Sequence, residues 1–345
     1  GHWQKDSVQQ SFRFIKNLYS DSAYYYISIG GIGKRIQEQN VLPVSTVTVT
    51  SFQERAVVEN DLVNLIGSGK EWYGEKFSSG SLSRTFTINW PNVITQTPFR
   101  LRASFASRNV GATASMLTTV NGTPSTPLTF PSVTGTFLDR YAVHQEQEQF
   151  YNAAQSSTII RFDYQSAASG AESWLNRFEL FGRRALIKPA DQVLLFRDWS
   201  SVSNGAVARF ELSGATTGIK VWDITSPFVP VAMRNLSSGN FIFHQDAGRL
   251  REYVAFTDAQ ALTPVVMGTV SNQNLHGLTV PEYLIITHPS FVSAAQRLAG
   301  FHRQQYARTV AVVSTEQVYQ EFGSGIADPT AIRNFVKMLY DKNSS

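Results

Sequence analysis

The sequence predicts a mainly β protein that ends in an α/β segment, and three observations support this fold class. Through much of residues 44–278, apolar and polar residues alternate at every second position, the period of a strand with one buried face. Beyond Pro281 the apolar spacing changes to three and four, the period of an amphipathic helix. Hydrophobic residues make up 42% of the 345 residues and charged residues 16%, so the chain has enough apolar material for several cores.

The first residues, 1–43, are predicted to be an extended β segment. Phe12–Phe14 and Tyr24–Ile29 are rich in aromatic and β-branched residues, which favour strands. The cluster Gly30–Gly33 predicts a hairpin turn. Together with Lys34 it superficially resembles a phosphate-binding loop, but neither the Walker spacing nor the dinucleotide fingerprint is met. No cofactor is predicted.

Residues 44–187 are predicted to form an antiparallel β-sandwich of jelly-roll type. Alternating runs lie at Thr85–Trp90, Arg100–Phe105 and Ile160–Tyr164. Each run has one apolar and one polar face, so we expect one buried face and one face open to water. Loops rich in Gly, Asn, Ser and Pro separate these strands, as in sandwiches built from many short strands. Trp174–Phe181 is predicted to be the last strand.

Residues 188–278 are predicted to form a smaller β domain, with Lys188-Pro189 as the linker before it. The strand-like runs in this region are Val207–Leu212, Ile219–Thr225, Asn240–Phe243 and Tyr253–Phe256. Strands at this spacing over about 90 residues favour an immunoglobulin-like sandwich.

Residues 279–345 are predicted to begin a doubly wound α/β domain with a parallel sheet, in the order βαβα. The strands are Tyr283–Thr287 and Thr309–Val313. The first helix carries an apolar stripe of Phe291, Ala294, Ala295, Leu298 and Ala299. A parallel sheet is normally buried on both faces, and two strands leave apolar faces without partners. We therefore expect the natural protein to continue past Ser345.

The helix ends of this segment have recognisable signals. Ser314 and Gln317 are spaced as a capping box. Asp328-Pro329 supplies an N-cap and a proline in the first turn of the last helix. That helix is predicted to bury one stripe, formed by Ile332, Phe335, Val336, Leu339 and Tyr340.

Composition excludes several functions. The chain contains no cysteine, which removes disulfides, thiolate metal sites and a cysteine nucleophile from these residues. The net charge is +4, but the basic residues are scattered rather than clustered with aromatics, so no nucleic-acid partner is predicted. No apolar run approaches the roughly 18 to 20 residues of a transmembrane helix, so no transmembrane segment is predicted.

Few residues are candidates for chemistry. His288 ends the first parallel strand, where α/β sheets place ligands and catalysts, but it lacks an accompanying nucleophile and is expected to be a loop residue. Ser324 lies in Gly-Ser-Gly without the strand-to-helix context of a hydrolase elbow. No histidine pair has metal-ligand spacing. The sequence therefore predicts no catalytic, cofactor-binding or metal-binding residue. The carboxylates that sequence alone cannot pair include Asp198, Asp223, Asp246 and Asp258.

Carbohydrate binding remains open as an alternative, since β-sandwiches often bind sugars. Exposed aromatic rings at Trp72, Tyr73 and Trp90 would form a stacking platform, although aromatics in β domains are usually packed in the core. A purely structural interaction module is the other alternative. If Trp72 and Trp90 are buried, the platform does not exist.

The C-terminal motifs carry a resemblance to a known family. Pro281–Pro289, Ala295–Ala299, Glu316–Gly325 and Asp328–Phe335 together resemble the opening of a gingipain-like cysteine peptidase domain, family C25. Within that family they are most similar to the sortases of the type IX secretion system. The motifs Leu18–Tyr26, Val221–Pro227 and Asn272–Leu278 resemble the region that precedes the peptidase domain.

The resemblance implies a multidomain surface protein of Bacteroidetes that removes C-terminal sorting domains from secreted cargo and attaches the cargo to the cell surface. It implies an extracellular or outer-membrane location, with cargo proteins and other secretion components as partners and a glycan as a further possibility. The family's Cys and His dyad lies downstream of the last helix here, so its roles transfer to no residue of this chain. His288 and His302 belong to the first strand and first helix. The chain itself is expected to be inactive.

Overall fold

The structure is a computed structural model that describes residues 1–42, 44–67, 71–152 and 154–343. Strands account for 40% of the chain and helices for 13%, with the helices after the sheets, so the predicted fold class is confirmed. The chain divides into two compact units. The β unit comprises Trp3–Phe14 and Gly33–Thr263, and the α/β unit comprises Gly1–His2, Ile15–Ile32 and Pro264–Ser345.

Four short strands come first along the chain: β1 (His2–Asp6), β2 (Ser11–Ile15), β3 (Gln37–Glu38) and β4 (Val47–Val49). β1 and β2 pair with each other. β3 and β4 join the later sheets of the β unit. The strand predicted at Phe12–Phe14 is confirmed, as part of β2.

The sandwich of the β unit is built from β5 (Ser51–Glu59), β6 (Lys76–Phe77), β7 (Ser83–Asn89), β8 (Phe99–Arg108), β9 (Ala114–Val120), β10 (Thr123–Pro124), β11 (Leu128–Phe130), β12 (Val143–Tyr151), β13 (Ser157–Ser166) and β14 (Glu172–Ala185). One sheet has the order β10-β9-β13-β7, with β11 also on β9, and the other has the order β12-β8-β14-β5, with β6 on β14. The pairings are antiparallel. Successive long strands alternate between the two sheets, which is the jelly-roll connectivity that the sequence predicted.

Aromatic rings from both sheets form the centre of this sandwich. Phe162 on β13 contacts Phe86 on β7, with ring centroids 5.9 Å apart. Across the sandwich it contacts Phe105 on β8 at 5.1 Å and Phe178 on β14 at 5.6 Å. Edge-to-face pairs of this kind add about 0.5–1.5 kcal/mol each beyond the burial of area. The alternation in the sequence thus correctly identifies the inward face.

The polar face of β8 is not open to water as predicted, because β2 lies over it. Arg102 donates to the carboxylate of Glu179 at 2.9 Å and to the carbonyl of Phe12 at 3.1 Å. Glu179 also accepts from the backbone N–H of Phe14 at 3.0 Å and from Arg177 at 3.2 Å. The Glu179 side chain is fully buried, and a buried charge is tolerated only when it is paired and hydrogen-bonded.

The second part of the β unit contains β15 (Leu194–Arg197), β16 (Val207–Leu212), β17 (Lys220–Asp223), β18 (Val231–Ala232), β19 (Phe241–Asp246), β20 (Glu252–Phe256) and a 3-10 helix (Asp258–Gln260). One sheet has the order β15-β20-β17-β18-β3 and the other has the order β19-β16-β4. The predicted strands at β16, β17, β19 and β20 are confirmed. Their core contains the stacked pair Phe210 and Phe243, 4.9 Å apart.

The two sandwiches of the β unit share apolar and ionic contacts. Phe52 on β5 and Leu186 belong to the core of the second sandwich. Arg197 on β15 is almost fully buried and donates to the carbonyl of Gln53 at 3.1 Å. Burial lowers the pKa of Arg197 to about 10, with the neighbouring Arg55 acting in the same direction and Glu252 opposing it. The division into separate domains at residues 43/44, 187/188 and 278/279 stays a prediction.

The α/β unit contains β21 (Tyr283–Thr287), a 3-10 helix (Pro289–Phe291), α1 (Val292–Tyr306), β22 (Val310–Ser314), α2 (Thr315–Phe322) and α3 (Pro329–Asn343). β21 and β22 are parallel, and their register runs from Tyr283 opposite Val310 to Thr287 opposite Ser314. The predicted order of strands and helices is therefore confirmed. Its core cluster is small and consists of Leu275, Val313, Val318, Ala331, Phe335 and Leu339.

The predicted apolar stripes of the helices are only partly right. On α3, Phe335 and Leu339 are buried as predicted, but Val336 is 44% exposed and Tyr340 is 71% exposed. The buried face instead runs through Ala331, Phe335 and Leu339, four residues apart. On α1 the small residues Ala295 and Ala299 are buried. The larger apolar residues Phe291 and Leu298, which were predicted on the same stripe, are exposed.

The strand predicted at Tyr24–Ile29 is wrong. These residues have no regular secondary structure, and Tyr25 and Ile27 are highly exposed. Gly30 and Gly31 have φ of +115° and +76° and the chain bends there, but without flanking strands the predicted hairpin is absent. Within this unit Tyr24 and Tyr26 approach Gly325, where an added Cβ would lie 3.0 Å from the Tyr26 hydroxyl.

Candidate functional site

The carboxyl edge of the parallel strands is the first place to look for a site, because α/β sheets place ligands there. His288 follows β21 at this edge. Its Nδ1 accepts from the backbone N–H of Ser290 at 3.2 Å, so His288 caps the 3-10 helix Pro289–Phe291. The predicted loop role of His288 agrees with this geometry.

The hydroxyl that follows β22 is also used for capping. Ser314 Oγ accepts from the backbone N–H of Gln317 at 3.2 Å, and the Gln317 amide oxygen accepts from the backbone N–H of Ser314 at 3.0 Å. This is the capping box predicted from the sequence. Ser324 has φ of +49° beside Gly325 at +85°, which is turn geometry. The polar groups at this edge therefore stabilise helix ends.

His276 and His302 have neighbours but no metal-ligand arrangement. The His302 ring stacks on Tyr283 at 4.2 Å, and the His276 ring stacks on Phe322 at 4.5 Å. Across the described residues, no group of three or more His, Cys, Asp or Glu side chains could hold a metal ion.

Glu321 on α2 holds the segment that leads into the α/β unit. Its carboxylate accepts from the backbone N–H of Leu275 at 2.7 Å, from Gln273 at 3.0 Å and from His276 Nδ1 at 2.8 Å. Burial works to raise the pKa of Glu321, but these hydrogen bonds outweigh it and the pKa lies below the ordinary value. Glu321 therefore anchors this segment to α2, which is a structural role rather than an acid–base one.

The carboxylates that sequence could not pair are ion-paired with arginine or lysine. Asp198 pairs with Arg183 at 3.0 Å, and Asp258 pairs with Lys220 at 2.6 Å. Asp223 and Asp246 share one cation, with oxygens 2.9 and 3.0 Å from the two Nη atoms of Arg251. These are structural ion pairs. None of them places two carboxylates beside a cavity large enough to hold a ligand.

The aromatic platform for sugar stacking does not form. Trp90 is only 6% exposed and Tyr73 is also buried, whereas Trp72 is exposed, at 45%. The Trp90 ring lies directly over Gly182 on β14, where an added Cβ would come within 2.4 Å of it. Trp90 is therefore a core residue that requires glycine opposite it.

The cavity that sequence reasoning missed lies at the edge of the jelly roll. It has a volume of about 580 Å³ and is bounded by β12 on one side and by the β9–β10 turn with residues 123–126 on the other. β12 is an edge strand that pairs with β8. Its inward positions begin with buried Val143 and end with buried Tyr151, and between them stand Gln145, Gln147 and Gln149. The sequence shows glutamine at every second position from 145 to 149, but only the structure shows that these positions face inward.

The glutamine side chains of this cleft are held in place. Gln147 and Gln149 both donate to the carbonyl of Thr126, at 3.0 and 3.1 Å. The amide oxygen of Gln149 accepts from the Tyr151 hydroxyl at 2.8 Å. The Tyr151 ring stacks on Phe99 at 5.2 Å, and burial raises the pKa of Tyr151 to about 12. The hydroxyl therefore stays protonated as a donor at neutral pH.

Comparison with known proteins gives a family for the C-terminal residues and a fold for the chain. Residues 276–345 match the family described as Peptidase family C25, so the gingipain-like resemblance is confirmed. Dimeric latent PorU from Porphyromonas gingivalis matches over 99% of this chain and 33% of its own, with a TM-score of 0.81 and 23% identity. At this identity the likeness shows a shared fold, and the chain spans 33% of that protein's length.

Carbohydrate-binding modules match part of the chain weakly. A family 35 module from Clostridium thermocellum covers 38% of this chain and 92% of its own at 16% identity, with a TM-score of 0.24. CBM35 from Cellvibrio japonicus covers 38% of this chain and 97% of its own at 12% identity, also with a TM-score of 0.24. TM-scores this low do not establish a shared fold. No curated protein matches the chain, and no helix within the described residues is long and apolar enough to cross a membrane.

Proposed function

We propose that this chain is the non-catalytic N-terminal portion of a type IX secretion system sortase-like cysteine peptidase. One observation carries the proposal: a PorU-like fold extends over 99% of the chain and leads, in the same order, into a segment of peptidase family C25 at residues 276–345. In full length such a protein would cleave C-terminal sorting domains from secreted cargo and attach the cargo to the cell surface.

The role proposed for the residues present is to position substrate or dock partners. The chain has no cysteine, so a thiolate attack on a peptide bond cannot start from these residues. The polar groups at the carboxyl edge of β21 and β22 are used for capping. Binding and scaffolding are the functions that this chemistry supports.

The proposed location is the extracellular face of the outer membrane, and the proposed partners are cargo proteins with C-terminal sorting domains and other secretion components. The proposed domain arrangement is an extended segment at 1–43, a jelly roll at 44–187, a small β domain at 188–278 and the start of the peptidase domain at 279–345. The β unit would then supply a surface that positions cargo or docks partners.

A cleavage assay tests the division between binding and catalysis. The purified chain is incubated with a cargo protein that carries its C-terminal sorting domain, and cleavage is followed by mass spectrometry with binding measured by calorimetry. We expect binding without cleavage. Cleavage by the chain, insensitive to thiol-blocking reagents, would overturn the assignment of these residues as non-catalytic.

The reading frame tests the assignment to a sortase-like peptidase. Sequencing the gene downstream of the codon for Ser345 is expected to reveal a cysteine and a histidine on further α/β strands. A stop codon directly after Ser345, confirmed by the intact mass of the native protein, would reject the sortase-like assignment and leave a binding module.

A further inference from the structure

We propose that the cleft between β12 and residues 123–126 is a binding site for a neutral oligosaccharide. This inference goes beyond the proposed function and does not depend on it. It rests on the inward face of β12, where glutamines occupy positions that a sandwich normally fills with apolar side chains. Val143 and Tyr151 on the same face are buried in the usual way, so the strand departs from the core pattern only along the glutamines.

The cost of placing amides on this face points to a ligand. A buried amide without hydrogen bonds is destabilising in proteins, and each glutamine here is only partly buried. A cleft open to solvent avoids that cost while the bonds to Thr126 fix the side chains. Preorganised polar groups in a concave surface are the usual features of a small-molecule site.

The remaining hydrogen-bonding capacity suits hydroxyl groups. A primary amide has two N–H donors and one carbonyl acceptor. The bonds to Thr126 use one N–H from each of Gln147 and Gln149. The second N–H of each amide, and the Gln147 carbonyl oxygen, have no protein partner among the described residues. Donor and acceptor side by side match the hydroxyl groups of a sugar, each of which both donates and accepts.

The charge of the cleft excludes anionic ligands. The ionisable side chains among its described lining residues are Glu148 and Tyr151. Glu148 is paired with Arg102 at 2.6 Å and with Arg100 at 3.4 Å. With no lysine or arginine in the lining, a phosphate or carboxylate would meet no cation there. The lining of the cleft therefore suits a neutral ligand.

The size of the cleft agrees with a short oligosaccharide. Ligand sites typically enclose about 300–1,000 Å³, and this cleft has about 580 Å³. Phe150 also borders the cleft, but it is out of step with Gln147 and Gln149, so its side chain points to the opposite face of β12. The contacts to the sugar therefore come from the amides and from the polar residues at 123–126.

The test is ligand-observed NMR on the whole chain with a defined panel. Cellotriose, xylotriose, maltotriose, mannotriose and chitotriose are each added, and a neutral Gly-Ser decapeptide serves as the protein-like comparison. We expect saturation transfer to at least one trisaccharide and not to the peptide. Binding of the peptide alone, or of no probe in the panel, overturns the proposal.

Variants then locate the site by calorimetry with the trisaccharide that binds. Gln147→Ala and Gln149→Ala are each expected to weaken binding by about tenfold, since each loses about 1–1.5 kcal/mol of contact. Gln145→Ala is the matched control, because Gln145 lies on the same face of the same strand but does not line the cleft. It is expected to change the affinity less than about twofold.

Thermal unfolding of each variant separates lost binding from lost folding. Because Gln147 and Gln149 both line the cleft, the test stays valid if one of the two variants unfolds. Equal affinity in wild type and in the folded variants Gln147→Ala and Gln149→Ala would place the sugar elsewhere and reject the site.

Discussion

The jelly roll and the α/β unit bury their apolar residues in different ways. Along β13, the inward side chains Ile160, Phe162 and Tyr164 are essentially inaccessible to water. In the α/β unit, no residue of β21 is buried and large side chains such as Tyr340 are exposed. Parallel strands are usually buried on both faces, so the sheet of the α/β unit is protected far less than the jelly roll.

This difference teaches where the stability of the chain resides. Local opening of a protein is easiest where few apolar contacts hold the backbone. The jelly roll has ring contacts that connect its two sheets, whereas the core of the α/β unit is a small cluster around Phe335. We expect amide hydrogen exchange to be slowest in β8, β13 and β14 and faster in β21 and β22.

The largest expected effect comes from removing a ring at the centre of the jelly roll. Phe162→Ala deletes contacts to Phe86, Phe105 and Phe178. The free energy of unfolding of the β unit should fall by about 3–5 kcal/mol, measured by chemical denaturation. A loss below about 1 kcal/mol would mean that the core is not packed as described.

Ile159→Ala is the control for this prediction. Ile159 is on the same strand, but its side chain points outward and is half exposed. Its removal should change the free energy of unfolding by about 0.5 kcal/mol or less. The contrast between neighbouring positions tests the alternation of the strand directly.

The buried ionic face of the jelly roll should give the next largest effect. Glu179→Gln keeps an acceptor for the Phe14 N–H but removes the charge that pairs with Arg102 and Arg177. Arg102 and Arg177 would then lie in a buried place beside a neutral amide. The free energy of unfolding of the β unit should therefore fall by about 2–3 kcal/mol.

Glu211→Gln is the matched control for Glu179→Gln. Glu211 also pairs with an arginine, Arg209, but both side chains are partly exposed. Exposed pairs contribute about 0–1 kcal/mol. Equal losses from the two variants in denaturant titrations would show that the face covered by β2 is open to water.

Two glycines should respond to alanine with opposite signs. Gly182→Ala places a Cβ 2.4 Å from the Trp90 ring, and overpacking of this kind is destabilising by about 1–3 kcal/mol. Gly300 lies within α1 and has no atom within 4 Å of an added Cβ. Gly300→Ala should therefore stabilise α1 by about 0.5–1 kcal/mol. Thermal unfolding of both variants checks the signs, and a stabilising Gly182→Ala would contradict the placement of Trp90.

Sequence reasoning succeeded where the determining contacts are local. The alternation at Ile160–Tyr164 and the capping box of Ser314 and Gln317 depend on residues two or three positions apart. The cover over β8 was missed because it joins residues far apart in the chain, with Phe14 and Glu179 separated by 165 positions.

The sugar cleft was missed for a different reason. Gln145, Gln147 and Gln149 alternate with Glu146 and Glu148, so no apolar face marks the strand and its inward side cannot be chosen from sequence alone. The structure shows which side of the strand is inward, because Val143 and Tyr151, at its two ends, are buried. The helix stripes of the α/β unit were partly wrong because the spacing alone does not show which residues of a stripe are buried, and on α1 these are Ala295 and Ala299.

The last expected effect is pH-dependent and concerns the α/β unit. The hydrogen bonds to Glu321 hold its pKa below the ordinary value of 4.5. A carboxylate with a lowered pKa in the folded state adds stability above its unfolded pKa, and this stability is lost as the pH falls through the folded pKa. Glu321→Gln should therefore destabilise the unit by about 1 kcal/mol at pH 7, and the difference from wild type should shrink as the pH falls below about 4.5.

Hydrogen exchange of the α2 amides checks this prediction, because it reports on the α/β unit alone. It is measured across this pH range and corrected for intrinsic rates. Glu316→Gln is the matched control, because Glu316 is exposed in the first turn of the same helix and should contribute only about 0.3 kcal/mol through the helix dipole. If the stability difference between wild type and Glu321→Gln grew as the pH falls, its sign would be opposite to the one expected from a lowered pKa of Glu321. It would mean that the bonds from Leu275 and Gln273 do not favour the charged carboxylate.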